Sequence, residues 1–576
     1  MNELDSLRNS TDELLSDFSK RVNSMKGRKE YATLIRKLDT ELASKTAREY
    51  FGEGEFYAVG IDGSMIQNET LEMLLFYVNS VAYACPFFVK DRLTFNTKEL
   101  QKVDSLGSSN AVPLWLEDLG SVADNTRDVE VDYSSTLTEV SFSLMLMAEL
   151  KSAFKAAQSE GVRIIFLDRS ISGSFQSLMR DIRYLLKDES SSLFAVYGKQ
   201  FLRDLYLMYY LPLSWMDNPA HGPYIVHSVV KLMFEGRSLE QAVSSLGLTE
   251  KQVDYVSKRL KHMNEIYPTL KQSNKDTYFD QDVIGYKERL LEVASEVSDR
   301  FFAGKEYPLK INGLWLRTKE LNTVNIILLA SLLENCIAKD KLLLGITKDT
   351  SSTDVSRSVL QILNIPAEAR PGMRHDRIMF TILSATNEDL FSTPWRSVGY
   401  DACFATLSQD EHSKLKAARK VASIEKLFVK SFFQTRSSNR TIYRSPVFLY
   451  DRPFMEDFDG SFCSELEYLE NGRIQKIRPY IESKDLNSFD NMILYILSSS
   501  DHPEVFESYG HNILLYMADK DAKADVKLKE GLLLGITNLK LTPLARNEKL
   551  FSAIRRYRDA RAMSEQARSE AANEIK

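Results

Sequence analysis

Asp62 and Asp168 stand in near-identical surroundings. The first closes the segment Phe56-Tyr57-Ala58-Val59-Gly60-Ile61-Asp62-Gly63-Ser64, the second Val162-Arg163-Ile164-Ile165-Phe166-Leu167-Asp168-Arg169-Ser170. Each segment is an apolar, β-branched or aromatic run of strand length followed by Asp-x-Ser, which predicts a buried strand stopped by a tight turn. A strand apolar on both faces belongs to a sheet covered by helices. Its aspartate then sits at the rim of the core. Two such rims side by side would bring two carboxylates to one hard divalent cation, the beginning of a metal-dependent phosphoryl-transfer site. Taken singly, each aspartate also reads as an Asx-turn residue.

Further groups are needed to complete such a centre. Glu149 lies in the apolar stretch Met145-Leu146-Met147-Ala148-Glu149-Leu150, where a carboxylate is costly to bury unless it is paired or metal-bound, though by local pattern it reads first as a residue on the wet stripe of an amphipathic helix. Glu139, earlier on the same predicted helix, competes for the role. Lys348 follows the apolar run Leu342-Leu343-Leu344-Gly345-Ile346-Thr347 much as the two aspartates follow theirs, so it could meet a phosphate, though taken singly it reads as an ordinary surface lysine. His511 and Asp519 flank a helical run. Eight residues apart, they would lie about 12 Å from each other along a regular helix and would share an ion only if the first turn unwound.

The elements that must hold these groups follow from the pattern. Residues 1–50 read as a charged helical region with Leu14, Leu15, Phe18 and Val22 on one stripe. Strands are expected at 55–64, 74–78 and 81–84, a helix from Leu137 to Gln158, and buried strands at 162–167 and 342–347. Residues 175–340 read as mostly helical. Within them, Ser238 to Val243 and Thr249 to Arg259, separated by Gly247, have helix-turn-helix spacing and read either as a DNA reader or as a plain helical hairpin. A strand is expected over 442–450, at an edge or bulge because of Pro446. Another is expected over Gly531 to Ile536, and a charged helical tail over 545–576. Domain boundaries are set at 1–50, 51–200, 201–338, 339–545 and 546–576, with the second and fourth pieces forming one α/β core and the third a large helical insertion.

Composition narrows the function. The chain has 576 residues, 44% hydrophobic and 27% charged, with a formal net charge of −6. Such a balance argues against a protein that coats DNA alone, though a local field counts for more than the sum. Cys85, Cys336, Cys403 and Cys463 form no CxxC pair, which disfavours a zinc cluster or a disulfide framework and suits a reducing cytoplasm. No apolar run approaches the length of a membrane span, and the polar, acidic N-terminus does not resemble a secretory signal. There is no GxxxxGK[ST], GxSxG, HExxH or glycine-rich dinucleotide loop.

In order, Ile61-Asp62-Gly63-Ser64, the Glu149 helix, Leu167-Asp168-Arg169-Ser170, Gly345-Ile346-Thr347-Lys348 and the 511–519 segment resemble the motifs of the NurA nuclease family. The resemblance runs from about residue 50 to 540. It implies an RNase H-like core with a mixed sheet flanked by helices. It also implies Mn2+- or Mg2+-dependent cleavage of DNA, as a 5′-to-3′ exonuclease and single-strand endonuclease, in DNA end processing or in defence against foreign DNA. Asp62, Glu149, Asp168 and Asp519 would be the metal ligands, with Lys348 and His511 acting beside them. A homodimer docked on a hexameric HerA-type ATPase is implied as well. Two departures stand out: Arg169 replaces the glycine of the second Asp-Gly-Ser, and His511 and Asp519 hold positions where the family has a tyrosine and a histidine, with Tyr509 close to the first. They sustain a rival reading, a non-catalytic DNA-binding or scaffold subunit of a translocase complex.

Overall fold

The computed structural model describes residues 3–547, apart from 71–72, 124–132, 189, 216–224, 267, 274–275, 281–282, 305–306, 367–369, 371–372, 374, 403–406, 410–414, 418–425, 438–442, 471–472 and 503. The expected charged tail therefore lies largely outside the described residues.

Six strands of one mixed sheet matter for function. They are β1 (Gly54–Thr70), β2 (Met73–Val89), β3 (Val162–Leu167), β4 (Leu342–Thr347), β5 (Phe428–Gln434) and β6 (Phe448–Pro453). Across the sheet the order is Ile35–Lys37, Trp395–Ser397, β5, β6, β4, β3, β1, β2, Leu93–Phe95. The centre, β4-β3-β1, is parallel, and antiparallel strands continue it on both sides. The apolar runs at 162–167 and 342–347 are thus the interior strands their composition suggests.

Two expectations about this sheet are corrected. β1 does not stop at Asp62: it runs on to Thr70, paired with β2 residue for residue, Asp62 opposite Val81. What stops there is the parallel ladder with β3, whose last pair is Ile61 with Leu167. The segments 74–78 and 81–84 are likewise one strand. Its polar break is accommodated because the Asn79 side chain donates to the Ala522 carbonyl and the Ser80 hydroxyl meets Ser152 at 2.6 Å. Such buried polar groups are tolerated only when partnered.

Helices cover both faces. On one lie α1 (Tyr133–Gln158), α2 (Ile171–Leu185) and α3 (Thr318–Ala338); on the other lie α4 (Ser488–Ser499) and α5 (Ile513–Asn547). Alternation along β1 divides the core. Val59 and Ile61 pack with Leu144 and Leu150 of α1, whereas Ala58 packs with Leu514 and Leu515 of α5. α5 takes in residues 531–536, so the strand expected there is helix. The run Leu532-Leu533-Leu534 was ambiguous in period, and the helix that begins at Ile513 carries through it.

α3 is long and apolar enough to cross a bilayer, with a mean hydropathy of 1.5 over its best window, contrary to the expectation that no apolar run approaches that length. Two-thirds of that window is buried, against α1, α2 and the helix Tyr286–Ala303. The region 201–338 shares this core with the sheet: Leu205, Val229, Leu260 and Leu290 belong to the same cluster as Ile165. Within it, Leu239–Ser245 and Glu250–Ile266 form the expected helical pair. Ser238 and Gln241 make a reciprocal N-cap, and Gly247 turns the chain at φ +61°.

Candidate metal centre

The parallel register brings the chemistry together. Because Ile61 pairs with Leu167, Asp62 and Asp168 follow side by side, and the Asp168 N–H donates to the Ile61 carbonyl. Because Gly345 pairs with Leu167 on the other side, Lys348 leaves β4 at the same rim, and its Nζ lies 2.6 Å from Asp168 Oδ2. Asp519 comes from α5. Ligand atoms of Asp62, Asp168 and Asp519 all lie within 4.8 Å of one another, the one acidic group of this kind among the described residues.

Two features let α5 reach the rim. A Cβ on Gly60 would stand 2.5 Å from the Leu514 Cβ and 3.0 Å from the Leu515 nitrogen, so only glycine admits the helix this close to β1. A polar seam then fixes the helix to the hairpin: Tyr83 donates to Asp521 at 2.7 Å, and Tyr77 and Asn79 donate to Asp525 at 2.5 and 3.0 Å.

Side-chain alternation puts Glu149 elsewhere. Asp62 points toward α5 and Gly63 toward α1, where a Cβ would meet Glu149 Oε1 at 2.5 Å. Glu149 is 2% exposed and pairs with Arg169 through the guanidinium Nε. It adjoins the triad but is outside the 4.8 Å set. Glu139 is exposed, nearly three helical turns away, and lines a separate cavity.

His511 precedes the first turn of α5, so it does not share that helix with Asp519. Its ring stacks on Phe448 at 5.2 Å, and neither nitrogen has a hydrogen-bond partner among the described residues. Burial, aided by the Lys348 charge, pushes it down to about 3, so the imidazole is neutral. Tyr509 donates to the Tyr443 carbonyl at 3.4 Å and sits beside Arg436.

The charges are unbalanced. Burial, then the carboxylates of Asp168, Glu149 and Asp519, push Asp62 up to about 9. Burial also raises Asp168, against the opposing pull of Lys348. Burial would raise Asp519 too, but the hydrogen bond from Lys523 and the Lys348 charge outweigh it, and the residue is held below the usual carboxylate range. A hydrogen bond with Asp62 adds to what holds Asp519 low. A divalent cation would balance three carboxylates gathered beside one lysine. Three carboxylates and no thiolate form a hard oxygen set, and ligands on opposite sides of a Mg2+- or Mn2+-sized ion stand about 4 Å apart. The residues therefore fit a divalent ion of that class.

Asp451 was not singled out in the sequence. Buried on β6 opposite Gly345, it accepts from the Ile171 and Ser172 N–H groups at 3.0 and 2.9 Å, and from the Ser170 and Ser172 hydroxyls at 2.6 Å each. It thus anchors the N-terminus of α2 and with it the turn after Asp168. The one signal was a charged pair, Asp451-Arg452, at the end of an apolar strand.

No protein-family model and no curated protein matches the sequence. Solved structures do match. The chain is similar to NurA nuclease structures along nearly its whole length. The NurA nuclease from Sulfolobus solfataricus aligns over 94% of this chain and 98% of its own at 10% identity and TM-score 0.41. A NurA with manganese aligns over 92% and 98% at 12% identity and TM-score 0.35. A NurA bound to dAMP and manganese aligns over 79% and 85% at 11% identity and TM-score 0.27. At such identities and scores the likeness bears no weight beyond this statement, and the side chains at the rim carry the functional reading.

Proposed function

We propose that the chain is a divalent-metal-dependent nuclease acting on DNA. The observation that carries this reading is the convergence of Asp62, Asp168 and Asp519 within 4.8 Å, beside Lys348, at the rim where the parallel strands end. Asp62, Asp168 and Asp519 would hold the ion. When bound, a divalent cation supplies Lewis-acid stabilisation of a phosphodiester's developing charge and makes water a better nucleophile near neutral pH. Lys348 holds a proton and a positive charge next to Asp168, where it can meet a phosphate oxygen of the substrate. Glu149 and Arg169 brace the turn that presents Asp168. His511, stacked on Phe448, would orient a water or the DNA backbone.

An RNase H-like core is supported by the sequence of pairings at the centre: an antiparallel hairpin, β2-β1, joined to parallel β3 and β4, with acids on β1 and just after β3. Cleavage polarity, single-strand endonuclease activity, a homodimer, a hexameric HerA-type ATPase partner and a role in repair or antiviral defence belong to the proposal through the sequence motifs alone.

The test is degradation of end-labelled linear DNA with Mn2+. Wild-type protein, with or without the ATPase, cleaves, and Asp62→Asn, folded by circular dichroism, does not. Equal cleavage by the two would remove the assignment. The rival, a non-catalytic scaffold, draws on one observation: Lys348 and Arg169 already neutralise Asp168 and Glu149. Salt-sensitive DNA binding with no cleavage in any divalent metal would favour it.

A further inference from the structure

We infer that the trough between α1, α2 and the start of α3 holds a single strand of DNA as it passes over the rim beside the metal centre. This rests on the nuclease reading above and extends it to a strand-binding subsite.

The trough is a cavity of about 500 Å³ whose lining is half polar. Its wall on α2 begins at Ser174, six residues beyond Asp168. Arg169, which leaves the rim on the α1 side to pair with Glu149, also lies over the Phe142 ring, 5.4 Å from its centroid. Phe142 shares a helical face with Met145 and Glu149, at spacings of three and seven residues, so the face that contacts Gly63 of β1 continues directly into the trough. At the far end stands Tyr184 on α2, with the Lys319 ammonium 5.8 Å from its ring centroid. From Ser170 to Tyr184 the helix spans about 20 Å.

Each end therefore carries an exposed aromatic ring; the Lys319 ammonium lies beside Tyr184, while the Arg169 guanidinium over Phe142 is committed to Glu149. Phe142 and Tyr184 are 48% and 52% exposed, a large solvent share for such rings in a folded domain. Neither is needed to seal the core, which closes behind them through Leu144, Leu178 and Leu321. A ring accepts a base by stacking, and Lys319 beside Tyr184 meets the phosphate that follows. Between the rings the lining carries Ser177, Arg180, Asp181 and the exposed Glu139. The Asp181 carboxylate is occupied by the Asn322 amide at 2.8 Å, and Asn322 in turn accepts from Ser143 at 2.8 Å. Its acidity is thus partly spent inside the protein. A duplex presents its bases edge-on and paired, so stacking on two separated rings selects an unpaired strand.

The experiment is fluorescence anisotropy with a labelled single-stranded oligodeoxynucleotide and its blunt duplex, in EDTA so that nothing is cut. Wild-type protein binds the single strand more tightly. Tyr184→Ala and Phe142→Ala each weaken single-strand binding by about fivefold to a hundredfold. Tyr184→Phe and Phe142→Tyr, which keep the rings, restore it. Lys319→Ala lowers the salt dependence by about one phosphate contact. The inference is overturned if both alanine variants, with unchanged melting temperatures, bind the single strand as wild type does, or if the phenylalanine variant loses as much as the alanine one. Single-strand binding that responds to the rings in a protein that never cleaves would uphold the trough and remove the nuclease. Mn2+-dependent cleavage with ring-independent binding would do the reverse.

Discussion

Two regions take carboxylates out of water, and they do it in opposite ways. Behind β6, Arg396 grips Glu482 through both terminal nitrogens at 2.5 and 2.6 Å, and Arg452 grips Asp459 at 2.7 and 2.8 Å. Asp490 accepts from Arg452, Tyr450 and Tyr480 at 2.8, 3.0 and 2.9 Å. Burial works against the Asp490 charge, but Arg452 and Arg396 outweigh it and hold the group below the usual carboxylate range. At the rim, Asp62 forms no ion pair among the described residues, and burial with three neighbouring acids drives it upward against the pull of Lys348. A compensated buried network specifies a fold, while an uncompensated one at a rim marks a candidate functional site.

The largest expected effect is at the rim. Asp62→Asn lowers Mn2+-dependent cleavage by about a thousandfold or more, since it removes a ligand and a charge together. The same change raises the melting temperature of the metal-free protein by a few degrees, because it removes a crowded acid; a lowered melting temperature in EDTA would break the contrast. Asp490→Ala moves the other way. Taking one partner from a buried pair costs about 3–5 kcal/mol, read by urea unfolding, while cleavage per folded molecule is kept.

Metal addition separates the regions next. At a hundred times its dissociation constant, Mn2+ stabilises the wild type by about 2.7 kcal/mol, visible as a raised melting temperature, and does nothing for Asp62→Asn. Gly60→Ala costs about 1–3 kcal/mol by pushing α5 off β1, and it reduces cleavage because Asp519 travels with the helix. The smallest effect is assigned to Glu149→Gln, which leaves the Mn2+-induced rise intact. Loss of that rise would place Glu149 among the ligands.

Much of the centre was legible because it is local. A buried strand ending in an acid is written in seven or eight residues, so the segments ending at Asp62, Asp168 and Lys348 stood out from pattern alone. The length of β1 was not legible. Gly63 and Ser64 look like a turn, yet they extend as strand because β2 supplies a partner for each. The helical fate of 531–536 was hidden for a similar reason, since three consecutive leucines suit either period. Asp451 escaped notice because its role, anchoring a helix some 280 positions earlier in the chain, has no local mark.

By itself the sequence determined the kinds of groups and the strands that carry them, because hydrophobic alternation and the stop after it are short-range properties. Only the tertiary structure decided which acids meet. The parallel register set Asp62 beside Asp168, the missing side chain of Gly60 brought α5 and Asp519 to them, and the two-residue period of β1 sent Glu149 to Gly63 and Arg169 on the other face. Those are matters of pairing and approach between distant segments, and no window of neighbouring residues contains them.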